Sequence, residues 1–466
     1  MKRNILRLQL AALIIMAAIV LALGQTAANS TVEERNVRAA MNFLASDAMQ
    51  GRGSGTAFER ITAEYVGSQF MQFGLEPAGE IGWDGRPGYV QTVTISRNSF
   101  ASAPVLHYGG KTAQHGKEII TLRTNTGQVS GTLQKIELGG KVNPGSAVYV
   151  RVPADTEPQA VSQGIQALAA GGASIVMIEE TAQYRSNWSN LAGRRLGFTA
   201  TTAKPGVTIV LSKETAAQIA SLADGTPIEF SGTLAPAQTT NTWNAISKLT
   251  GSDAKLSSEV VVLSSHLDHV GVRDNAQGED KIFNGADDDA SGTVAVMELA
   301  RTLANGKRPK RTVYFVCFGS EEAGGYGSGY FADNLPFPKE KFVANMQFEM
   351  IGRPDSKVKP EELWLTGYER SNLGPELAKR GAKLVQDPHP QENFFQRSDN
   401  YTLARRGIVA HTVSSFGLHA DYHRASDELD TIDFTHMTRA IDSMVKPIEW
   451  LLNSDFRPAW VPDKQP

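Results

Sequence analysis

The sequence predicts an α/β fold interrupted by a smaller β-rich insertion, and two patterns carry that expectation. From about residue 240 onward, apolar strand-like runs alternate with helical patterns, the signature of an α/β sheet. Between about 103 and 236, short β-like runs instead succeed one another across turn signals. With 466 residues the chain also exceeds the usual size of one hydrophobic core, so two domains are expected.

In chain order, Lys2, Arg3 and Arg7 precede the apolar run LAALIIMAAIVLALG (10–24), with small residues after it. This reads as an export signal over 1–27, shorter than the roughly 20 apolar residues a membrane-spanning helix needs. An uncleaved anchor is the alternative. Export to a periplasm or to the medium follows, with no membrane contact after cleavage. STVEERNVRAAMNFLASDAMQGR and AFERITAEYVGSQFMQFGL read as helices, the first starting near Ser30 or Thr31. They open a discontinuous domain expected over 30–102 and 237–455, with 103–236 inserted and 456–466 a tail. Inside the insertion, EIITL, SAVYVRV, ASIVMIE and GVTIVLS read as strands and PQAVSQGIQALAAGGA as a helix.

In the second half, EVVVLSSHLDHVG, RTVYFVCFGSEE, FVANMQFEMIG, ELWLTGY and GIVAHTVSS read as strands. SGTVAVMELARTLANG reads as a helix, with Val296, Leu299, Ala300 and Leu303 at helical spacing. Apolar residues make up 41% and charged residues 20%, ordinary globular composition. A net charge of −3 argues against a polyanion-binding surface, so nucleic acid is excluded as a partner. Cys317, the single cysteine, sits in the apolar VYFVCF, reads as an inert core residue and allows no internal disulfide.

The polar residues that interrupt this pattern fall just past strand ends, the edge where open α/β sheets bind ligands. His266 and Asp268 form H-x-D; imidazole is a good zinc ligand, and a carboxylate commonly holds its other nitrogen. By itself H-x-D equally marks a capped loop histidine. In NGADDDASG, three consecutive aspartates open a helix whose N-terminus offers only about half a charge. One or two divalent cations would resolve that conflict; a capping aspartate with two solvated neighbours is the plainer reading. In FGSEEAGGYGSG, Glu321 and Glu322 on extended backbone would face opposite ways, one toward metal and one toward water, unless both are surface charge. The glycines after them would let the backbone turn sharply. Glu349 ends an apolar run and His423 supplies a second imidazole, while Tyr422 offers a hydroxyl to an oxyanion. Together, His266, Asp288, Glu322, Glu349 and His423 give each of two zinc ions three protein ligands, if one carboxylate bridges them.

HLDHVG, GADDDASG, FGSEEAGGYGSGYF, MQFEMIG, RSDNY and DYH, in that order, resemble the di-zinc aminopeptidase family that also includes glutamate carboxypeptidases and glutaminyl cyclases. The resemblance covers roughly 33–100 and 240–455, and 103–236 resembles a protease-associated domain. It implies a phosphorylase/hydrolase-like mixed sheet sandwiched between helices. It also implies that His266 and Glu349 hold one zinc, Glu322 and His423 the other, and that Asp288 bridges them. Glu321 becomes the general base, Asp268 orients His266, and Tyr422 steadies the tetrahedral intermediate. A cis peptide is expected at Asp288–Asp289. The sequence departs from the family at Glu349, where aspartate is usual, and at Asn400, where SDH has become SDN. The implied function is an exported aminopeptidase acting on peptides through two Zn2+. A carboxypeptidase on the same centre, with Arg353, Arg397 or Arg424 receiving a terminal carboxylate, is the rival. A glutaminyl cyclase or an inactive receptor-like protein are the remaining readings.

Overall fold

A computed structural model describes residues 31–466, apart from 83–84, 98, 154–155, 157–160, 162–163, 166, 170, 194–197, 201–205, 237, 275 and 277. The export signal expected over 1–27 lies outside the described residues, as does part of the helix expected at 158–173. Among the described residues, no helix is long and apolar enough to cross a membrane.

The chain forms two units, one ending at Val93 and resuming at Thr242, the other spanning Thr94–Asn241. The insertion thus begins before 103 and ends after 236, because strands Val90–Arg97 and Gln238–Leu249 run through both boundaries without a turn to mark them. The expected tail is also no tail. Trp460 packs against the core, and Val461 N–H donates to Arg370 C=O at 2.8 Å.

The larger unit is built on a mixed sheet. Its strands run in the order 384–386, 363–365, 410–414, 342–348, 260–266, 312–318 and 238–249. Four neighbouring strands, 410–414, 342–348, 260–266 and 312–318, are parallel, and the strands flanking them are antiparallel. Strand Val260–His266 is buried at every position, as a strand covered on both faces must be. Val261, Leu263, Phe315 and Cys317 pack with helices Glu34–Leu44, Ala57–Gln72, Gly292–Asn305 and Phe434–Asn453. Val260, Val262, Val316 and Phe318 face the opposite way, toward helices Tyr326–Asp333 and Asp399–Ala404. Period-two alternation therefore distributes one strand between two cores. The first helix begins at Glu34 rather than near Ser30, and a short 3-10 segment, Asp47–Arg52, replaces its expected second half.

The inserted unit carries its own sheet, in the order 111–114, 105–108, 227–231, 128–137, 147–151, 175–179, 207–211 and 119–124. Each face has its own apolar core. Among the described residues, every His–carboxylate group able to hold a metal lies in the larger unit.

Candidate metal centre

The parallel strands converge their carboxyl ends on one spot. His266 is the last residue of its strand, with Asp268 and His269 in the loop beyond. Glu321 and Glu322 follow strand Thr312–Phe318, Glu349 follows Phe342–Phe348, and His423 lies in the loop after Ala410–Ser414. Asp288 comes from the segment preceding helix Gly292–Asn305. These eight residues, up to 157 positions apart in sequence, are brought together by the sheet topology.

Asp288 lies at the centre. Its Oδ1 is 3.2 Å from His266 Nε2, and its Oδ2 is 3.1 Å from His423 Nε2. Glu349 Oε1 stands 4.0 Å from His266 Nε2, and Glu322 Oε1 stands 3.0 Å from His423 Nε2. The donors fall into two groups that share Asp288: His266, Asp288 and Glu349, and His269, Asp288, Glu322 and His423. Ligands around a tetrahedral zinc, with bonds near 2.0–2.1 Å, are separated by about 3.3 Å along each edge. The observed spacings bracket that value. His266 Nε2, both ring nitrogens of His269 and Glu322 Oε1 are buried without a hydrogen bond. Unpartnered buried donor and acceptor atoms are strongly unfavourable, and facing lone pairs invite a cation between them. The residues present therefore fit a pair of zinc ions.

Electrostatics agrees. Burial pulls the imidazoles of His266 and His423 toward neutrality, yet the surrounding carboxylates outweigh it. His266 is raised well above its ordinary pKa and His423 to about 10. The surrounding carboxylates thus favour positive charge at this spot.

The three aspartates have three separate tasks, and all are buried rather than solvated. Asp287 accepts from Gly352 N–H at 2.7 Å and pairs with His419 at 2.9 Å. Asp289 accepts from the backbone N–H of His266, Gly292 and Met350, tying three elements together. Asp288 alone faces the ligand groups, its N–H held by Asp427 at 3.1 Å. The cis peptide expected at Asp288–Asp289 is present.

The two glutamates are arranged differently from the expectation. Glu321–Gly324 is a single helical turn, entered through Ser320 at φ 56°, so helix geometry rather than strand alternation separates their directions. Gly327 is required by close approach: a Cβ there would sit 2.2 Å from Asn244 Oδ1 and 2.4 Å from Gly319 C=O. Glu322 joins the metal donors, while Glu321 stays outside both groups. Burial first, then Glu322, Asp399 and Glu349, push the Glu321 carboxyl well above the usual carboxylate range. That is the environment of a base.

Asp268 meets His266 and does more besides. His266 Nδ1 meets the backbone carbonyl of Asp268 at 3.1 Å, whereas the Asp268 carboxylate is 3.8 Å away. That carboxylate also accepts from Glu321 N–H at 3.0 Å, Glu322 N–H at 3.4 Å and the Ser54 hydroxyl. It positions the glutamates, while the same residue's carbonyl orients the imidazole.

Tyr422 stacks on the His423 ring, with centroids 4.0 Å apart and planes at 21°. Burial, Asp288 and Glu322 all raise its hydroxyl pKa, so it stays protonated and able to donate. Beside it opens a pocket lined by Glu349, Met350, Trp364, Phe394, Phe416 and Tyr422. Trp364 and Phe394 stack there at 5.2 Å. Arg397 borders the same pocket, its guanidinium 4.9 Å from the Phe394 ring centre. Arg353 is already committed, to Asp421 at 2.7 Å and Asp427 at 2.9 Å.

Two functional residues escaped the sequence reading. His269 stands at the fourth position of HLDH, and the H-x-x-H spacing was the available signal. Arg52, fully buried, donates to the carbonyls of Leu44, Leu267, Asn284 and Gly285, bracing the loops on both sides of the site. Nothing in MQGRGSG distinguishes it from a surface arginine.

Residues 244–447 match peptidase family M28. The leupeptin-inactivating enzyme 1 of Streptomyces exfoliatus is 27% identical over 227 residues, 46% of this chain and 49% of that protein. Leucine aminopeptidase 2 of Arthroderma otae is 29% identical over 177 residues, 36% of this chain and 32% of that protein. The chain spans about half or less of the length of these curated relatives. Among solved structures, the aminopeptidase from Aneurinibacillus sp. strain AM-1 superposes with a TM-score of 0.51 at 18% identity, covering 91% of this chain and 94% of that one. The zinc aminopeptidase of Bacillus subtilis gives 0.50 at 18%, covering 91% and 97%; at such identity the likeness concerns the fold. Two ligand groups thus share one aspartate at the carboxyl edge of the sheet, within the segment 244–447 that is similar to peptidase family M28.

Proposed function

We propose that the chain is an exported zinc aminopeptidase that removes N-terminal residues from peptides. The observation that carries this reading is the shared Asp288, flanked by two complete donor groups and by a basic Glu321 belonging to neither. His266, Asp288 and Glu349 would hold one zinc, and Glu322, His423 and the same Asp288 the other. When bound, the ions act as Lewis acids on the scissile carbonyl and bring the pKa of water toward neutrality. Glu321 takes the proton from the attacking water and returns it to the leaving amine. The Tyr422 hydroxyl donates to the oxygen where negative charge develops. Glu349, which lines the pocket, offers a carboxylate to a free substrate ammonium. The aromatic wall of Trp364, Phe394 and Phe416 favours a bulky apolar first side chain.

A panel of aminoacyl-nitroanilides, run beside a zinc count on the purified protein, tests the reading. Two zinc ions per chain, with fastest cleavage after leucine, phenylalanine or methionine, support it. Turnover of N-acetylated peptides as fast as free ones would remove it. Arg397 at the pocket supports the rival, a carboxypeptidase binding a terminal carboxylate, which would cleave acetylated peptides from the other end. Export to the periplasm or medium belongs to the same proposal, as does an access-shaping task for the inserted unit. Cell fractionation with N-terminal sequencing of the mature chain tests the first. Deletion of the insertion, with unchanged preference across peptide lengths, would remove the second.

A further inference from the structure

We infer that His269 is a protein ligand of the ion held by Glu322 and His423, so that the two metal positions are unequal and fill in order. The inference rests on the di-zinc reading above and adds a residue to it. His269 is fully buried, and its Nε2 has no hydrogen-bond partner. Its Nδ1 lies 2.9 Å from Glu322 Oε1 and 3.8 Å from Asp288 Oδ2. Its ring centre is 5.6 Å from that of His423, the two planes crossing at 72°. Two imidazoles and two carboxylates therefore aim at one point, while His266, Asp288 and Glu349 offer a single imidazole to the other.

The backbone is built to admit this ring. Gly285 adopts φ 57°, and a Cβ at that position would stand 2.5 Å from His269 Cγ and Cδ2. A buried imidazole whose Nδ1 meets a carboxylate and whose Nε2 meets nothing is a poor structural filler, because desolvating a group without a partner is unfavourable. As a metal ligand the ring has one of its nitrogens satisfied. With four protein ligands against three, the His269 position holds its ion more tightly. That ion binds first and leaves last, and the one beside Glu349 exchanges.

X-ray absorption on the wild-type protein with one equivalent of zinc tests this without any variant. Two imidazoles per zinc are expected; one imidazole overturns the inference. Chelator competition on His269→Ala and His266→Ala supplies the second readout. Removing a group that only orients a ligand weakens binding roughly 10- to 100-fold. His269→Ala should exceed that for the first equivalent, and His266→Ala should leave that step within a few-fold of wild type. Equal weakening of both steps, or a first step unchanged in His269→Ala, overturns the inference. A wild-type chain that takes up fewer than two zinc ions would instead count against the di-zinc reading, so the two failures are distinguishable.

Discussion

The Asp268 carboxylate accepts the backbone N–H of Glu321 at 3.0 Å, joining the end of one central strand to the turn after its neighbour. Its other oxygen takes Glu322 N–H and the Ser54 hydroxyl. Three donors converge on one acid, so an amide in its place would turn an N–H2 toward at least one of them. Asp268→Asn should therefore misplace both glutamates together. We expect kcat to fall at least tenfold and zinc affinity at the Glu322 position to weaken roughly 10- to 100-fold. Steady-state kinetics and chelator competition check it; a change in one quantity without the other would show that the turn does not move as a unit.

Glu321 offers a cleaner separation, because its side chain belongs to neither donor group. Glu321→Gln keeps shape and polarity but cannot accept a proton. Zinc content should remain at the wild-type value while kcat drops by about 10^2 to 10^4. Elemental analysis and nitroanilide assays on one preparation decide the matter. Near-normal turnover in the variant would eliminate Glu321 as the base.

His411 provides a pH signature of folding, away from the metal donors. It is fully buried, its Nδ1 2.7 Å from Thr366 C=O and its Nε2 2.7 Å from the Ser371 hydroxyl. Burial, with Arg370 nearby, lowers its pKa to about 4, against an ordinary value near 6.5 in the unfolded chain. Between those values the unfolded chain binds a proton that the folded one refuses. Stability is thus complete above about pH 6.5 and is lost as pH falls toward 4. The linkage amounts to about 2.5 kcal/mol between pH 7.5 and 4.5. Urea unfolding of chelated protein at both pH values, compared with His411→Gln, isolates it; identical losses in the two proteins would refute the assignment.

Part of the candidate donor set was legible because its members follow apolar runs, and a charge at such a place needs a reason. Glu349 after FVANMQF and Glu322 after RTVYFVCF are of this kind. His266 and Asp288 stood out through H-x-D and the aspartate triplet. What escaped depends on contacts that no local pattern encodes. Asp287 and Asp289 look the same as Asp288 in sequence, yet backbone N–H groups from distant loops select one of the three for metal. The further task of Asp268 was hidden for a similar reason, since its carboxylate also receives N–H groups from the turn after a neighbouring strand. The insertion boundaries were hidden because strands cross them without interruption.

Arg52 is where this non-local order concentrates. Its guanidinium donates at 2.6 Å to the carbonyls of Leu44 and Asn284, and at 3.0 Å to those of Leu267 and Gly285. Leu267 adjoins His266, and Gly285 precedes the aspartates, so one planar fork spans both flanks of the donor set. A lysine in its place presents a compact ammonium with three donors and no fork, so it cannot reproduce all four hydrogen bonds and exposes the carbonyls of Leu44, Leu267 and Asn284 to losing theirs. An unsatisfied buried group of this kind is unfavourable by about 1–3 kcal/mol. Arg52→Lys should therefore lower unfolding free energy by about that amount. It should also weaken zinc binding at both positions, since the loops carrying His266 and Asp288 lose their common brace. Thermal unfolding with and without excess zinc measures both effects. Lost stability with zinc affinity unchanged would mean that Arg52 supports the fold alone, and that the donor geometry is held by Asp289 and Asp427.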